Sequence, residues 1–255
     1  MIDHHCNFWL RLPACLLKAL KRGAVLREHL IDISLISMKM PERIPTDTDL
    51  YKLPEGLPPV EDDGRAAHLQ GLRIPHIILP STLGRMVDVG KEAEHLSVFF
   101  FYPATVAPGI PIPGEWSEIP GARGCTIQNC AFRDNYERFK LSGCNVFGVS
   151  GQGHNPEQGL REQIDFARRN SIPFELLNDS LFGLTGALNL PTFVARLKEP
   201  VVEFEGREYT FPLQNRRLIR RLTFIADAGT IEKVFYPVFP PDKNATEVLE
   251  YLESR

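Results

Sequence analysis

Between residues 96 and 177 apolar runs alternate with amphipathic ones, and this limits the fold more than any other feature. Leu96-Ser-Val-Phe-Phe-Phe-Tyr102 is almost continuously apolar and reads as a central strand buried on both faces. Phe132, Tyr136 and Phe139 then recur at helical spacing with Arg133, Asp134, Glu137 and Arg138 between them, which predicts a helix over about 126–141. Asn145-Val-Phe-Gly-Val-Ser150 is a second buried strand. Asn155-Pro156 supplies an N-cap and a proline at the first helical position, with Gln158 three residues past the cap, so a second helix runs to about Asn170. Pro173-Phe-Glu-Leu-Leu177 is a third strand. Strand, helix, strand, helix, strand predicts an α/β sheet with right-handed crossovers and helices covering it.

The flanks are less regular. Residues 73–79 read as a short strand that Pro75 demotes to an edge, followed by a turn and by Met86-Val-Asp-Val89. Residues 103–124 form a long Pro- and Gly-rich loop containing Trp116; it is either functional or a surface insertion. Residues 180–190 look helical, residues 201–211 form a hairpin around Gly206, and 221–226 with 230–236 form another around Asp227-Ala-Gly229. A last helix covers about 242–253. Residues 41–67 are rich in proline and read as a linker or a surface-wrapped arm. The expected organisation is a poorly ordered extension over 1–52 and one domain over 53–255. A secretory signal is not expected, because Arg11 and Pro13 interrupt the apolar run from Phe8 to Leu17; Met38 and Met40 are candidate alternative starts.

Chemistry concentrates in Pro120-Gly-Ala-Arg-Gly-Cys125-Thr-Ile-Gln-Asn-Cys130-Ala-Phe-Arg-Asp134. Cys125 falls where a glycine-rich loop turns into a helix. Unpaired backbone N–H groups and the positive end of the helix dipole stabilise an anion there, and a thiolate is such an anion. Residues i and i+5 of an intact helix have Cα atoms roughly 8–9 Å apart, whereas a disulfide needs less than about 7 Å. Cys125 and Cys130 can therefore bond only if the first turn unwinds, which suits a redox cycle better than a static staple. The alternatives are two inert cysteines, or a zinc site from Cys125, Cys130, Cys144 and His154, although structural zinc ordinarily has two close pairs and one is missing here.

Gly151-Gln-Gly153-His-Asn-Pro156 follows a strand and precedes a helix and so invites a dinucleotide reading, but Pro156 replaces the third glycine. Gly148-Val-Ser150-Gly-Gln152 lacks the second glycine of a nucleophile elbow. Cys144 at a strand start reads as a small buried residue, and Cys6 and Cys15 lie in the extension. In the cluster Arg216, Arg217, Arg220, Arg221, the last begins an apolar strand and is a candidate partner for a Cys125 thiolate; Arg216 and Arg217 fit an exposed basic loop as well. Net charge of −3 gives no electrostatic reason to expect nucleic acid, and no stretch approaches the roughly 20 apolar residues of a membrane helix. Five cysteines in 255 residues suit a reducing, cytoplasmic setting and no disulfide scaffold.

Residues from about Pro75 to Leu252 resemble the peroxiredoxins, and within them the bacterioferritin-comigratory-protein subgroup. The resemblance is carried by Phe101-Tyr-Pro103, by Gly124-Cys125-Thr126-x-Gln128-x-Cys130-x-Phe132-Arg133-Asp134, by Val146-x-Gly148-Val149-Ser150 and by Arg221-Leu-Thr223-Phe224-Ile225. It implies a thioredoxin-like fold, a central mixed sheet flanked by helices, with Cys125 as peroxidatic cysteine, Cys130 as resolving cysteine and Arg221 as activating arginine. It further implies a peroxide substrate, a thioredoxin or similar dithiol reductant, a monomer or weak homodimer, and no metal or organic cofactor. The family's loop ordinarily carries a hydroxyl three residues before the reactive cysteine. Here that residue is Ala122, and Pro103 is displaced by the long insertion; Thr126 is the candidate replacement, or the loop refolds. That departure favours a rival, a thiol–disulfide oxidoreductase or redox sensor with little peroxidase activity. A binding protein with idle cysteines is the third class.

Overall fold

A computed structural model describes residues 50–255. The expected extension, except for residues 50–52, and with it Cys6, Cys15, Met38 and Met40, lies outside the described residues. In chain order the elements are β1 (Ile78–Pro80), β2 (Met86–Asp88), α1 (Val89–Glu92), β3 (Ser97–Phe101), α2 (Gly114–Glu118), α3 (Cys125–Asp134), α4 (Tyr136–Leu141) and β4 (Asn145–Ser150). There follow α5 (Pro156–Arg169), β5 (Glu175–Asn178), α6 (Gly183–Ala187), β6 (Thr192–Val194), β7 (Val201–Phe204), β8 (Arg207–Thr210), β9 (Arg217–Ile219), β10 (Leu222–Asp227), β11 (Thr230–Phe235) and α7 (Asn244–Glu253).

The central sheet runs β11-β10-β3-β4-β5. β3, β4 and β5 are parallel, while β10 is antiparallel to both β3 and β11, so the sheet is mixed. Alternate side chains of a strand point to opposite faces, and β3 shows what that does here. Phe99 and Phe101 enter one core with Phe147, Val149, Leu177 and Phe224. Val98, Phe100 and Tyr102 enter the other with Phe132 and Phe139 of α3 and α4, Phe166 of α5, and Val248 and Leu249 of α7. Both faces are covered, which is why Val98–Tyr102 reads as an unbroken apolar run. Phe100 stacks flat on Phe132, with ring centroids 4.1 Å apart and planes 6° from parallel, and so anchors α3 to the sheet. Phe100→Ala is expected to cost about 3–5 kcal/mol, read as a loss of the thermal and denaturant midpoints.

Several boundaries differ from the sequence reading. The helix expected over 126–141 is two helices: at Asn135 both the backbone N–H and the side-chain amide donate to the Ala131 carbonyl, and side-chain competition of this kind ends helices. The first edge strand starts at Ile78 instead of residue 73, because Ile77 N–H turns back to the Pro75 carbonyl. The helix expected from residue 180 starts at Gly183, after Phe182 adopts φ +56°, and is capped by the Asp179 carboxylate on Leu184 N–H and Thr185 N–H. The basic segment containing Arg217 is a strand, β9, paired with β6. The 103–124 insertion is not a surface ornament: Trp116 of α2 is 2 % exposed and packs with Phe211, Leu197, Leu213 and Leu218 in a third core beside the main sheet.

Candidate active site

Cys125 is the first residue of α3, and Gly124 before it adopts φ +96°. A side chain at residue 124 would run into Pro241 as well as strain the backbone, so glycine is required there. Glycine also carries no capping oxygen, and no acidic residue occupies the first turn. The helix N–H groups are therefore left for another anion, and the nearest candidate is the Cys125 sulfur. Cys125 is 5 % exposed and lies against the α3 side of the sheet, and its sulfur receives a hydrogen bond from Arg221 Nη2 at 3.2 Å.

Arg221 is 4 % exposed and is fixed on several sides. Its Nη2 also donates to the carbonyls of Gly121 and Arg123, and its Nη1 donates to Gln128 Oε1. Gln128 Nε2 donates in turn to Asn244 Oδ1 at 3.0 Å, and Thr223 Oγ1 donates to the same oxygen at 2.7 Å. The direction of this chain is set by chemistry. A guanidinium can only donate, so Gln128 must turn its oxygen to Arg221 and its amide nitrogen to Asn244, which must then present oxygen. Asn244→Leu removes that acceptor and frees the Gln128 amide to flip. Peroxide reactivity of Cys125 is expected to fall about 10-fold, near the cost of one buried hydrogen bond to a charged group, with Asn244→Asp retaining most of it; stopped-flow oxidation rates check this.

Of the four arginines singled out from sequence, only Arg221 reaches the cysteine. Arg216 donates to the Gly153 carbonyl, Arg217 lies 4.7 Å over the Phe182 ring, and Arg220 sits near Asp63. Thr126 is buried and lines a cavity of about 30 Å³ with Ala122, Arg123, Cys125 and Trp116. Ala122 thus sits in the pocket and offers a methyl group where a hydroxyl was expected. The Thr105 hydroxyl is committed to Gln152. Arg123, unassigned from sequence although two residues from Cys125, is 9 % exposed in the same wall; burial holds it below the ordinary guanidinium range, and the neighbouring Cys125 acts in the opposite sense. Asn244 left no local signal, being remote in sequence from the cysteine, and Thr223 entered only as part of the Arg221 motif, with no role of its own.

Cys130 lies within α3, half-buried, with its sulfur 3.9 Å from Asn170 Oδ1. Burial pushes its thiol up from the ordinary value, with Arg133 pulling the other way. Cys125, Cys130 and Cys144 are all free, and α3 is intact between the first two. Cys144 is buried and its thiol is pushed up to about 12 by desolvation. Among the described residues no three His, Cys, Asp or Glu side chains gather as a metal site would need. The glycines of the 151–156 turn serve packing: a side chain at Gly153 would collide with Gly159 of α5. No helix among the described residues is long and apolar enough to cross a membrane.

The family model described as AhpC/TSA matches residues 119–234, from just before the cysteine loop through Arg221 into β11. Over these residues the chain is similar to the peroxiredoxins. Chloroplastic peroxiredoxin Q of Sedum lineare is 28% identical over 186 residues, 72% of this chain and 78% of that protein. Chloroplastic peroxiredoxin Q of Arabidopsis thaliana is 26% identical over 186 residues, 72% and 67%. Both relatives are peroxiredoxin Q proteins. Among solved structures, peroxidoxin BcpB of Mycobacterium tuberculosis superposes with a TM-score of 0.50 at 21% identity, covering 73% of this chain and 97% of that one. Peroxiredoxin Q of Xanthomonas campestris gives 0.50 at 20%, covering 73% and 96%. The shared fold is the thioredoxin-like one. This chain is an enzyme, a thiol peroxidase.

Proposed function

We propose that this chain reduces hydrogen peroxide and organic hydroperoxides through Cys125 and Cys130, with a thioredoxin-type dithiol as donor. The observation that carries the assignment of roles is the Cys125 sulfur at an uncapped helix N-terminus, 3.2 Å from Arg221. The thiolate attacks the terminal oxygen of the peroxide; an S–O bond forms, the O–O bond breaks, and the leaving alkoxide or hydroxide takes a proton. Cys125 is left as a sulfenic acid, oxidised by two electrons. Arg221 and the α3 N–H groups stabilise the negative charge that develops on the oxygens, and the Thr126 hydroxyl stands in for the one absent at Ala122. The Cys130 thiol then displaces water from the sulfenic acid to form the disulfide, which the external dithiol reduces by exchange.

The second step requires the first turns of α3 to unwind, since both cysteines sit on an intact helix. Unwinding also exposes Cys130 to water and relieves the burial that keeps it protonated. Because the pair lies within one chain, a monomer or a weak homodimer suffices, and the free thiols suit a reducing compartment such as the cytoplasm. Cys130→Ser tests the division of labour. One equivalent of peroxide should still oxidise Cys125, mass spectrometry with a dimedone-type trap should find the sulfenic acid there, and turnover with thioredoxin should be lost. Undiminished turnover would remove the resolving role from Cys130.

A further inference from the structure

The wall of the catalytic pocket holds a cation that the mechanism above does not use. Arg123 is 9 % exposed, and among the described residues its guanidinium has no carboxylate or carbonyl partner; its backbone carbonyl alone is engaged, by Arg221. A cation held mostly out of water is costly unless an anion meets it. The only acidic side chain lining the pocket is that of Cys125, whose sulfur is already held by Arg221. Lys52, exposed at the rim of the same pocket, adds a second positive charge. No Asp or Glu lines the pocket, and Val106, Ile112 and Trp116 form an apolar side to it. Such a mouth is shaped for a molecule that is apolar and negatively charged.

We propose that Arg123, assisted by Lys52, is a charge selector, and that this site favours hydroperoxides carrying a carboxylate over neutral ones of the same size. The proposal rests on the peroxidase reading and refines its substrate class. The peroxide group enters the small cavity beside Cys125, while the carboxylate stays at the opening and pairs with the Arg123 guanidinium, whose fork fits two carboxylate oxygens. The chemistry is unchanged: the thiolate bonds to the terminal oxygen, the O–O bond breaks, and the carboxylate-bearing alkoxide leaves, takes a proton and departs as the alcohol.

The test compares a small tertiary alkyl hydroperoxide bearing one carboxylate with its uncharged methyl ester. Single-turnover oxidation of Cys125 is followed by stopped flow, and each rate is normalised to that of free cysteine with the same peroxide. The acid should react about 10-fold faster than the ester at low salt, and the advantage should shrink as ionic strength rises. Arg123→Gln should bring the ratio close to one; Lys52→Gln, at an exposed position, should lower it by a smaller factor and covers the case in which the Arg123 variant does not fold. An acid-to-ester ratio at or below one in the unaltered chain, with hydrogen peroxide still oxidising Cys125 rapidly, overturns the selector. So does a ratio that survives Arg123→Gln. Failure of hydrogen peroxide itself to oxidise Cys125 strikes the peroxidase reading instead.

Discussion

Cys125→Ser is expected to lower peroxide turnover by at least about 10³-fold, the scale on which removing a covalent nucleophile acts. A serine hydroxyl is not ionised at neutral pH and cannot be carried through a sulfenic acid and a disulfide. The change is nearly isosteric at a site 5 % exposed, so the fold and thermal midpoint should be preserved. The other described sulfurs cannot take over. Cys144 is buried with its thiol pushed up to about 12, and burial also holds the Cys130 thiol above its ordinary value. Peroxide consumption coupled to a thioredoxin system reads the effect. Activity near that of the unaltered chain would move the reacting sulfur elsewhere.

Arg221→Met is the second large effect, about 10²–10³-fold in the rate of Cys125 oxidation, comparable with losing one donor to a developing oxyanion. It withdraws the hydrogen bond to the sulfur and the charge that orients the peroxide. It also leaves Gln128 Oε1 and the carbonyls of Gly121 and Arg123 without their donor, so the thermal midpoint should fall too. Arg221→Lys should recover part of the midpoint and little of the rate, because an ammonium on a flexible stem cannot serve three acceptors and a sulfur in one plane. Rates with peroxide and with a neutral alkylating agent separate the two contributions: the peroxide rate should fall further. Equal loss with both reagents would reduce Arg221 to a structural role.

The central sheet and the reactive loop were legible in the sequence for a common reason: both are written in local pattern. β3 and β4 are buried on both faces over most of their length, so Val98–Phe101 and Val146–Val149 carry no polar side chain. Cys125 and Gly124 sit together because the loop-to-helix junction needs a left-handed residue exactly one position before the sulfur's helix begins. What the sequence hid is whatever depends on contacts between distant segments. Nothing around Asn244 announces that α7 delivers an acceptor to Gln128, 116 positions earlier. The third core around Trp116 joins the insertion to residues 195–218, so from sequence the insertion could be read either as functional or as a surface ornament. Arg123 was in plain view, but its significance lies in burial without a partner, which no local pattern encodes. Asn135 was the one internal break that a reading of side-chain competition could have found.

The central claim is that helix N-terminus and guanidinium together make the Cys125 sulfur a peroxide-reactive thiolate. Its most direct test is stopped-flow oxidation of the reduced chain by hydrogen peroxide at neutral pH, beside free cysteine under the same conditions. The account predicts a second-order rate at least about 10²-fold above free cysteine, the size of one preorganised electrostatic contribution, and its loss in Cys125→Ser. Oxidation no faster than that of free cysteine would contradict it.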